Sequence, residues 1–309
     1  MEKRIQQASE FGRVAVLMGG AAAEREISLK SGKAVLEALQ AGGIAAEGLD
    51  VGRDMIAPLL ERRFDRVFNI IHGRGGEDGV LQGALACLGL PCTGSGVLAS
   101  ALSMDKLRTK LCWMGAGLPT PPWLRLDTPA DLERCRQALG FPVIVKPAEE
   151  GSSIGMSRAA NAEELAQAWE RASAYGCAVF AERWIDGVEY TGGMLKGASL
   201  PLIRLETPHA FYDFDAKYRA ETTRYICPCG LDAEREAELQ ALVLRACRIV
   251  GVRGWGRVDL LVDRSGQPWL IEVNTVPGMT DHSLVPMAAK AAGIDFQELV
   301  WHILETSMA

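Results

Sequence analysis

Two stretches of the chain put acidic and cationic side chains where they can act together. Gly256-Arg257-Val258-Asp259-Leu260-Leu261-Val262 and Trp269-Leu270-Ile271-Glu272-Val273-Asn274 read as two strands joined by Asp263-Arg264-Ser265-Gly266-Gln267-Pro268. With Ser265-Gly266 as a two-residue turn, the register sets Asp259 opposite Glu272 and Arg257 opposite Asn274, and the period of two puts all four on one face. Two carboxylates directly across strands repel unless positive charge lies between them. With an Asn amide oxygen they make the hard oxygen set that magnesium prefers. The same pattern also fits a solvated sheet face on which Arg257 bridges the acids.

A second candidate lies upstream. Phe141-Pro142-Val143-Ile144-Val145-Lys146-Pro147 is an apolar strand ending near a lysine, followed by Glu150-Gly151-Ser152-Ser153-Ile154-Gly155. Glycines let backbone amides approach an anion and serines add hydroxyl donors, so a lysine beside this loop can hold a phosphate. The spacing is not the G-x-x-x-x-G-K-S/T loop of common ATPases, and an ordinary strand connection fits equally. Gly19-Gly20 is followed by no G-x-G-x-x-G, which argues against a dinucleotide site. Glu24-Arg25-Glu26-Ile27-Ser28 lies where open α/β sheets bind ligands, although an acidic cluster there also starts a helix. His72, before a glycine turn, reads as a ligand or base or as a hydrogen-bonded structural residue. Glu182, Glu189 and Lys217-Tyr218 are unremarkable one at a time.

These residues need elements to hold them. In the first third, short apolar runs alternate with glycine turns and amphipathic stretches, the pattern of βαβ units on a parallel sheet. It predicts strands over 13–18 and 67–71 and helices over 28–40 and 98–113. The proline-rich 117–122 interrupts the chain. A smaller unit follows, with helices over 131–139 and 162–174, strands over 143–146 and 178–182 and a loop over 149–157. Beyond Ile185, short strands mix with one long helix over 232–250.

A length of 309 residues suits two or three domains, and 48% hydrophobic against 23% charged residues excludes a disordered or fibrous chain. The net charge of -6 argues against broad binding to nucleic acid or anionic membrane, so any polyanion must meet a local cluster of cations. The eight cysteines show no disulfide framework and are expected as reduced thiols; Cys227-Pro228-Cys229 lacks the second cluster of a zinc site. No apolar run approaches the roughly 20 residues of a membrane helix. The run over 14–18 leading into Ala21-Ala22-Ala23 is too short, and Glu2 and Glu10 too acidic, for a secretory leader.

In chain order, several segments together resemble the D-alanine:D-alanine ligase family of the ATP-grasp superfamily over nearly the whole sequence. They are Gly19-Gly20 through Glu24-Arg25-Glu26-Ile27-Ser28-Leu29, His72-Gly73-Arg74-Gly75-Gly76-Glu77-Asp78-Gly79, Thr93-Gly94-Ser95-Gly96 and Ser103-Met104-Asp105-Lys106. Val145-Lys146-Pro147 with Gly151-Ser152-Ser153-Ile154-Gly155, Lys217-Tyr218, and Glu272-Val273-Asn274-Thr275 with Pro277-Gly278 complete the set. The resemblance implies an α/β ATP-grasp architecture: an N-terminal parallel-sheet domain (1–103), a small central α+β domain (104–184) and a C-terminal α+β domain (185–309). It also implies ATP, two magnesium or manganese ions, D-alanine as substrate, a homodimer, a cytoplasmic location and a role in peptidoglycan precursor synthesis.

On matching positions, the resemblance assigns Lys106, Lys146 and Ser153 to ATP phosphates, Glu182, Trp184 and Ile185 to adenine, Glu189 to the ribose and Lys217 to the transferred phosphate. Asp259, Glu272 and Asn274 would bind the two ions, supplying the positive charge the hairpin demands. Glu24 would fix the ammonium of the first D-alanine, with His72 nearby, and join Ser152 and Tyr218 in a hydrogen-bonded triad. Ser283 and Leu284 would receive the carboxylate of the second D-alanine, with Arg257 and the Gly278 amide stabilising the tetrahedral oxyanion.

Thr191-Gly192-Gly193-Met194 departs from the bulkier strand residues of the family and is expected to loosen the C-terminal unit locally. Ala21-Ala22-Ala23 lacks a hydroxyl common in that turn, and Val276 replaces a small polar residue. The nearest rival is a sibling ligase joining D-alanine to D-lactate or D-serine; Tyr218 favours an amine acceptor, since the depsipeptide makers usually carry phenylalanine there. A non-catalytic nucleotide-binding protein would lack metal ligands or Arg257, and a dehydrogenase would need the missing glycine fingerprint.

Overall fold

Three sheets organise the computed structural model, which describes residues 1–207, 223–280 and 282–308. The first is parallel, ordered β2-β1-β3 from β1 (Arg13–Gly19), β2 (Ala45–Val51) and β3 (Arg66–Asn69), with α1 (Arg25–Ala41) crossing from β1 to β2. Central β1 is a continuous apolar run because both its faces are covered, and Val14 to Leu17 are fully buried. The sequence pattern missed β2, an edge strand whose Ala-Ala-Glu-Gly start shows no alternation. Helices α2 (Ala57–Arg62) and α3 (Val80–Cys87) complete this unit.

The single helix expected over 98–113 is two: α4 (Val97–Met104) and α5 (Lys106–Gly115). Asp105 breaks them. Its backbone is extended and its carboxylate accepts the Arg108 N–H at 2.9 Å, an N-cap that restarts the helix with Lys106 first.

The central sheet is antiparallel, ordered β4-β7-β5-β6 from β4 (Trp123–Arg125), β5 (Val143–Pro147), β6 (Ser157–Ala159) and β7 (Val179–Arg183). Helices α6 (Pro129–Leu139) and α7 (Ala162–Ser173) pack on it. The core includes Cys135 of α6 and Leu165, Ala168 and Ala172 of α7, the last three spaced to share a helix face.

The third sheet runs β11-β10-β8-β12-β13, with β9 on β8: β8 (Gly187–Leu195), β9 (Ala198–Ser199), β10 (Ile203–Glu206), β11 (Arg224–Ile226), β12 (Trp255–Asp263) and β13 (Pro268–Asn274). Against it lies α8 (Ala233–Val250). The expected loosening at Gly192-Gly193 is corrected here. Both glycines sit mid-strand in β8, paired with β12, and a methyl on Gly192 would come within 2.6 Å of Val243 of α8. The missing side chains let helix and strands approach closely.

Helices α9 (Leu284–Ala291) and α10 (Phe296–Glu305) return to the first sheet. Leu299, Val300, Ile303 and Leu304 share one core with Phe11, Val14, Val16 and Phe68, and Trp301 meets Phe11 edge-on at 5.1 Å. Buried Glu305 accepts the backbone N–H groups of Arg4 (2.6 Å) and Ile5 (2.8 Å) and pairs with Lys196. The stretch expected as the last unit, 185–309, thus shares a core with the first.

Candidate active site

A cleft of about 390 Å³ opens between the central and third sheets, a size suited to a small ligand. Of the residues assigned from sequence, Lys146, Ser153, Glu182, Trp184, Ile185, Glu189, Asp259 and Glu272 line it. Its apolar wall, including Ile144, Met156, Leu205, Leu261 and Ile271, was not foreseen.

Strand pairing builds the cationic end. Ile144 of β5 stands opposite Glu182 of β7, so Lys146 lies diagonally across from Glu182 on the same face, and the two form an ion pair. A second lysine, Lys110 of α5, lies 2.7 Å from the other carboxylate oxygen and donates to Thr120 Oγ1 at 2.6 Å. Burial works to raise the pKa of Glu182, but Lys110 and Lys146 outweigh it and hold the carboxyl below its ordinary value. Burial lowers the pKa of Lys110 and the Glu182 carboxylate works against that; two ammonium groups on one carboxylate leave a surplus of positive charge, which a nucleotide's phosphates complement. Lys106 reaches the same region: its Nζ donates to the Glu150 carbonyl at 2.5 Å and lies 3.5 Å from Glu272 Oε2.

The β12–β13 hairpin has the expected register at the site and a different turn. Val262 pairs with Pro268 and Leu260 with Leu270, one residue out of step with a two-residue turn, and a bulge beside Asp259 restores Asp259 opposite Glu272 and Arg257 opposite Asn274. The extra residue lets neighbours Ile271 and Glu272 both reach the cleft, which strict alternation forbids. Arg257 chelates Asp259 through Nε and Nη2, each at 2.8 Å, and the Thr191 hydroxyl donates to the same carboxylate at 2.6 Å. The Asn274 amide approaches it at 3.4 Å. The face is not an open sheet surface: Asp259 is buried and Arg257, Glu272 and Asn274 are half-buried. Two carboxylates and an amide gathered on one face suit a hard divalent cation. Among the described residues, no group of three or more His, Cys, Asp or Glu side chains is so gathered.

Around Glu24 the loops supply backbone atoms. A methyl on Gly151 would overlap the buried Glu24 Oε1 and one on Gly73, whose φ is 71°, would come within 2.8 Å of Oε2, so both loops lie close against the carboxylate. Ser152 and Ser153, next along, have φ of 54° and 59°, a left-handed strain of the kind that collects at functional loops. His72 is buried, its Nδ1 2.9 Å from the Val276 carbonyl. Burial, offset in part by that bond, lowers its pKa to about 4. The ring is therefore neutral at pH 7, Nδ1 carries the proton because a carbonyl only accepts, and Nε2 is left as an acceptor. Among the described residues that buried Nε2 has no hydrogen-bond partner.

Glu77, quoted in a motif but given no role, accepts the N–H groups of Gly73 (2.6 Å) and Val276 (3.2 Å), and burial pushes its pKa up to about 8. Val276 contributes its backbone to this contact and buries its side chain in the core shared with Met279 and Leu284. Ser283 stands at the start of α9 without capping it by its side chain, since its hydroxyl accepts the Thr280 N–H at 2.9 Å; a methyl on Gly278 would fall 2.9 Å from that oxygen, and Leu284 follows, buried. Lys217 and Tyr218 lie outside the described residues.

The profile of the family described as D-ala D-ala ligase C-terminus matches residues 112–305. The chain is 92% identical, over the full length of both, to a D-alanine–D-alanine ligase of Methylococcus capsulatus. The chain belongs to the D-alanine–D-alanine ligase family. A family member from Stutzerimonas stutzeri is 60% identical over 97% of this chain and 95% of its own. Two solved structures share the fold. The Bacillus anthracis D-alanine–D-alanine ligase complexed with ATP has a TM-score of 0.81 and 30% identity, covering 96% of this chain and 97% of that one. The VanG D-Ala:D-Ser ligase of Enterococcus faecalis has a TM-score of 0.85 and 27% identity, covering 96% and 99%. The ATP-grasp architecture expected from the motifs is the fold of this family.

In this family member, sequence reasoning passed over Lys110, Glu77 and the apolar wall. Lys110 follows Lys106 by four residues, which places both on one helix face and was a readable signal. Ile271 carried none, because only the bulge turns it inward.

Proposed function

We propose that this chain joins two molecules of D-alanine at the expense of ATP through an acyl phosphate, making D-alanyl-D-alanine for peptidoglycan precursors. One observation carries the reading: Glu150 and Gly151 tie a nucleotide-sized, lysine-rich cleft to a carboxylate pocket at Glu24. Lys106 holds the Glu150 carbonyl, and Glu24 lies against Gly151.

A carboxylate is a poor acyl donor because its leaving group would be oxide, so its oxygen first takes the γ-phosphoryl group of ATP. Lys106 and Lys146, with Lys217 and Ser153, hold the phosphates; Glu182, Trp184 and Ile185 take adenine and Glu189 the ribose. Asp259, Glu272 and Asn274 would hold two magnesium or manganese ions, which when bound neutralise phosphate charge. Glu24 fixes the ammonium of the first D-alanine, and neutral His72 offers Nε2 as an acceptor beside it. The amine of the second D-alanine, oriented through its carboxylate by Ser283 and Leu284, attacks the acyl carbon. Arg257 and the Gly278 amide stabilise the oxyanion, and phosphate leaves. An acyl phosphate hydrolyses if water enters, so the triad of Glu24, Ser152 and Tyr218 closes the loops over it.

The division at 1–103, 104–184 and 185–309 belongs to this reading, supported by the three separate sheets. So does a homodimer through the N-terminal unit, supported by exposed Val80, Val97 and Leu98. A cytoplasmic site of action is supported by the eight free cysteines, and no helix of the described residues is long and apolar enough to cross a membrane. The deciding experiment is phosphate release from ATP and magnesium with D-alanine, with L-alanine, with D-alanine plus D-lactate or D-serine, and with no amino acid, the products read by mass. Release that requires D-alanine and yields its dipeptide is expected. A mixed product alone moves the second substrate, and ATP binding without turnover overturns the ligase reading.

A further inference from the structure

Of the buried lysines, Lys110 has the least exposed surface, 0% against 3% for Lys146 and 7% for Lys106, and it does not line the cleft. It stands behind Glu182. Its ammonium lies between Glu182 Oε2 and Thr120 Oγ1, and the Thr120 hydroxyl in turn donates to the Leu270 carbonyl of β13 at 2.9 Å. One cation thus ties α5, the proline-rich connection, β7 and β13. Stability alone does not explain it. Taking an ammonium out of water is costly, and an apolar residue of similar volume commonly serves a fold as well or better.

The division of the carboxylate gives the reason. Glu182 Oε1 goes to Lys146, which faces the cleft, and Oε2 to Lys110, which does not. A carboxylate gripped on its rear oxygen cannot turn both oxygens toward Lys146, so the Lys146 ammonium stays available to an anion in front. We propose that Lys110 is a positioning residue for ATP: from outside the cleft it anchors Glu182, and through Glu182 it holds Lys146 in line for the phosphates. This rests on the ligase reading above, and no motif of the resemblance includes Lys110.

The test is the Kd for ATP by calorimetry in wild type, K110M, E182Q and the double variant, with dipeptide formation followed by mass and folding by thermal melts. K110M is expected to weaken ATP binding roughly tenfold or more, with the KM for D-alanine held within about twofold, a split that general loosening would not produce. In the E182Q background K110M should add nothing, because the group it acts through is gone. An unchanged ATP Kd in folded K110M, or the same loss in both backgrounds, overturns the proposal. Should K110M not fold, the comparison of E182Q with the double variant decides in the same way, and a double variant that also fails to fold leaves Lys110 a structural role only and overturns it. A wild type that binds ATP without forming dipeptide fails the ligase reading instead.

Discussion

The two ends of the site are held by different means. At the end proposed for the nucleotide, Lys146, Glu182 and Lys110 hold one another by charge, side chain to side chain, from adjacent strands and a helix. At the end proposed for the amino acid, His72 and Glu77 are held by backbone groups of Gly73 and Val276, loop to loop. Strands place side chains by register, so the first end depends on which residue types stand there. Loops place backbone atoms, so the second depends on chain path, and the Val276 side chain, where the resemblance expects a small polar residue, packs away in the core.

Substitution of a charge at the strand-built end carries the largest expected effect. Glu272→Gln should lower dipeptide formation by roughly a hundredfold or more with the thermal melt unchanged. Full activity in that variant would remove Glu272 from the proposed metal set and the strand-built end from catalysis.

The loop-built end should show itself in pH dependence. The folded pKa of His72, about 4, lies below its ordinary 6.5, so the unfolded chain binds that proton more tightly. The stability from this source is complete above pH 6.5 and is lost as pH falls through 4, about 3 kcal/mol in all. His72→Asn should flatten that acid limb in urea titrations run across the window. Glu77 slopes the other way: raised to about 8, it contributes stability that is complete below 4.5 and lost as pH rises through 8. An acid limb identical in His72→Asn and wild type would mean the imidazole is not held neutral by its loops.

The smallest effect belongs to the exposed link across the same loops. Arg74 lies 3.0 Å from Glu150 and 3.9 Å from Glu149, half open to solvent. Arg74→Ala should cost under about 1 kcal/mol, seen as a modest rise in the KM for D-alanine that vanishes at high salt. A large, salt-independent rise would show that this link, rather than Glu24 against Gly151, closes the loop.

The legibility of the sequence follows the same division. The Asp259–Glu272 pair follows from period and spacing, because strand pairing across a short turn is local; the place of Lys106 was read only through the resemblance. Those local rules still misjudged two details of the site region: the turn before Pro268, where the error is cancelled by the bulge, and the helix across Asp105. Glu77 and the neutral state of His72 were illegible because both rest on Val276, some 200 residues away, and burial there is a property of the assembled chain. Gly192 was misread for the same reason: its value lies in Val243 on α8, which no strand pattern contains.

The sharing of one core between β1 and α10 has a consequence in time. The cores around Leu17 and Leu85 and around Val145 and Leu165 draw only on neighbouring stretches of sequence, and each can close soon after its residues leave the ribosome. The core joining Phe11 to Leu304 cannot, because its last helix is made some 290 residues after its first strand. The loops of Glu24, His72 and Val276 meet only when that late helix docks. A half-made chain therefore displays no complete site on which to spend ATP, and the fold itself delays activity until synthesis has reached α10.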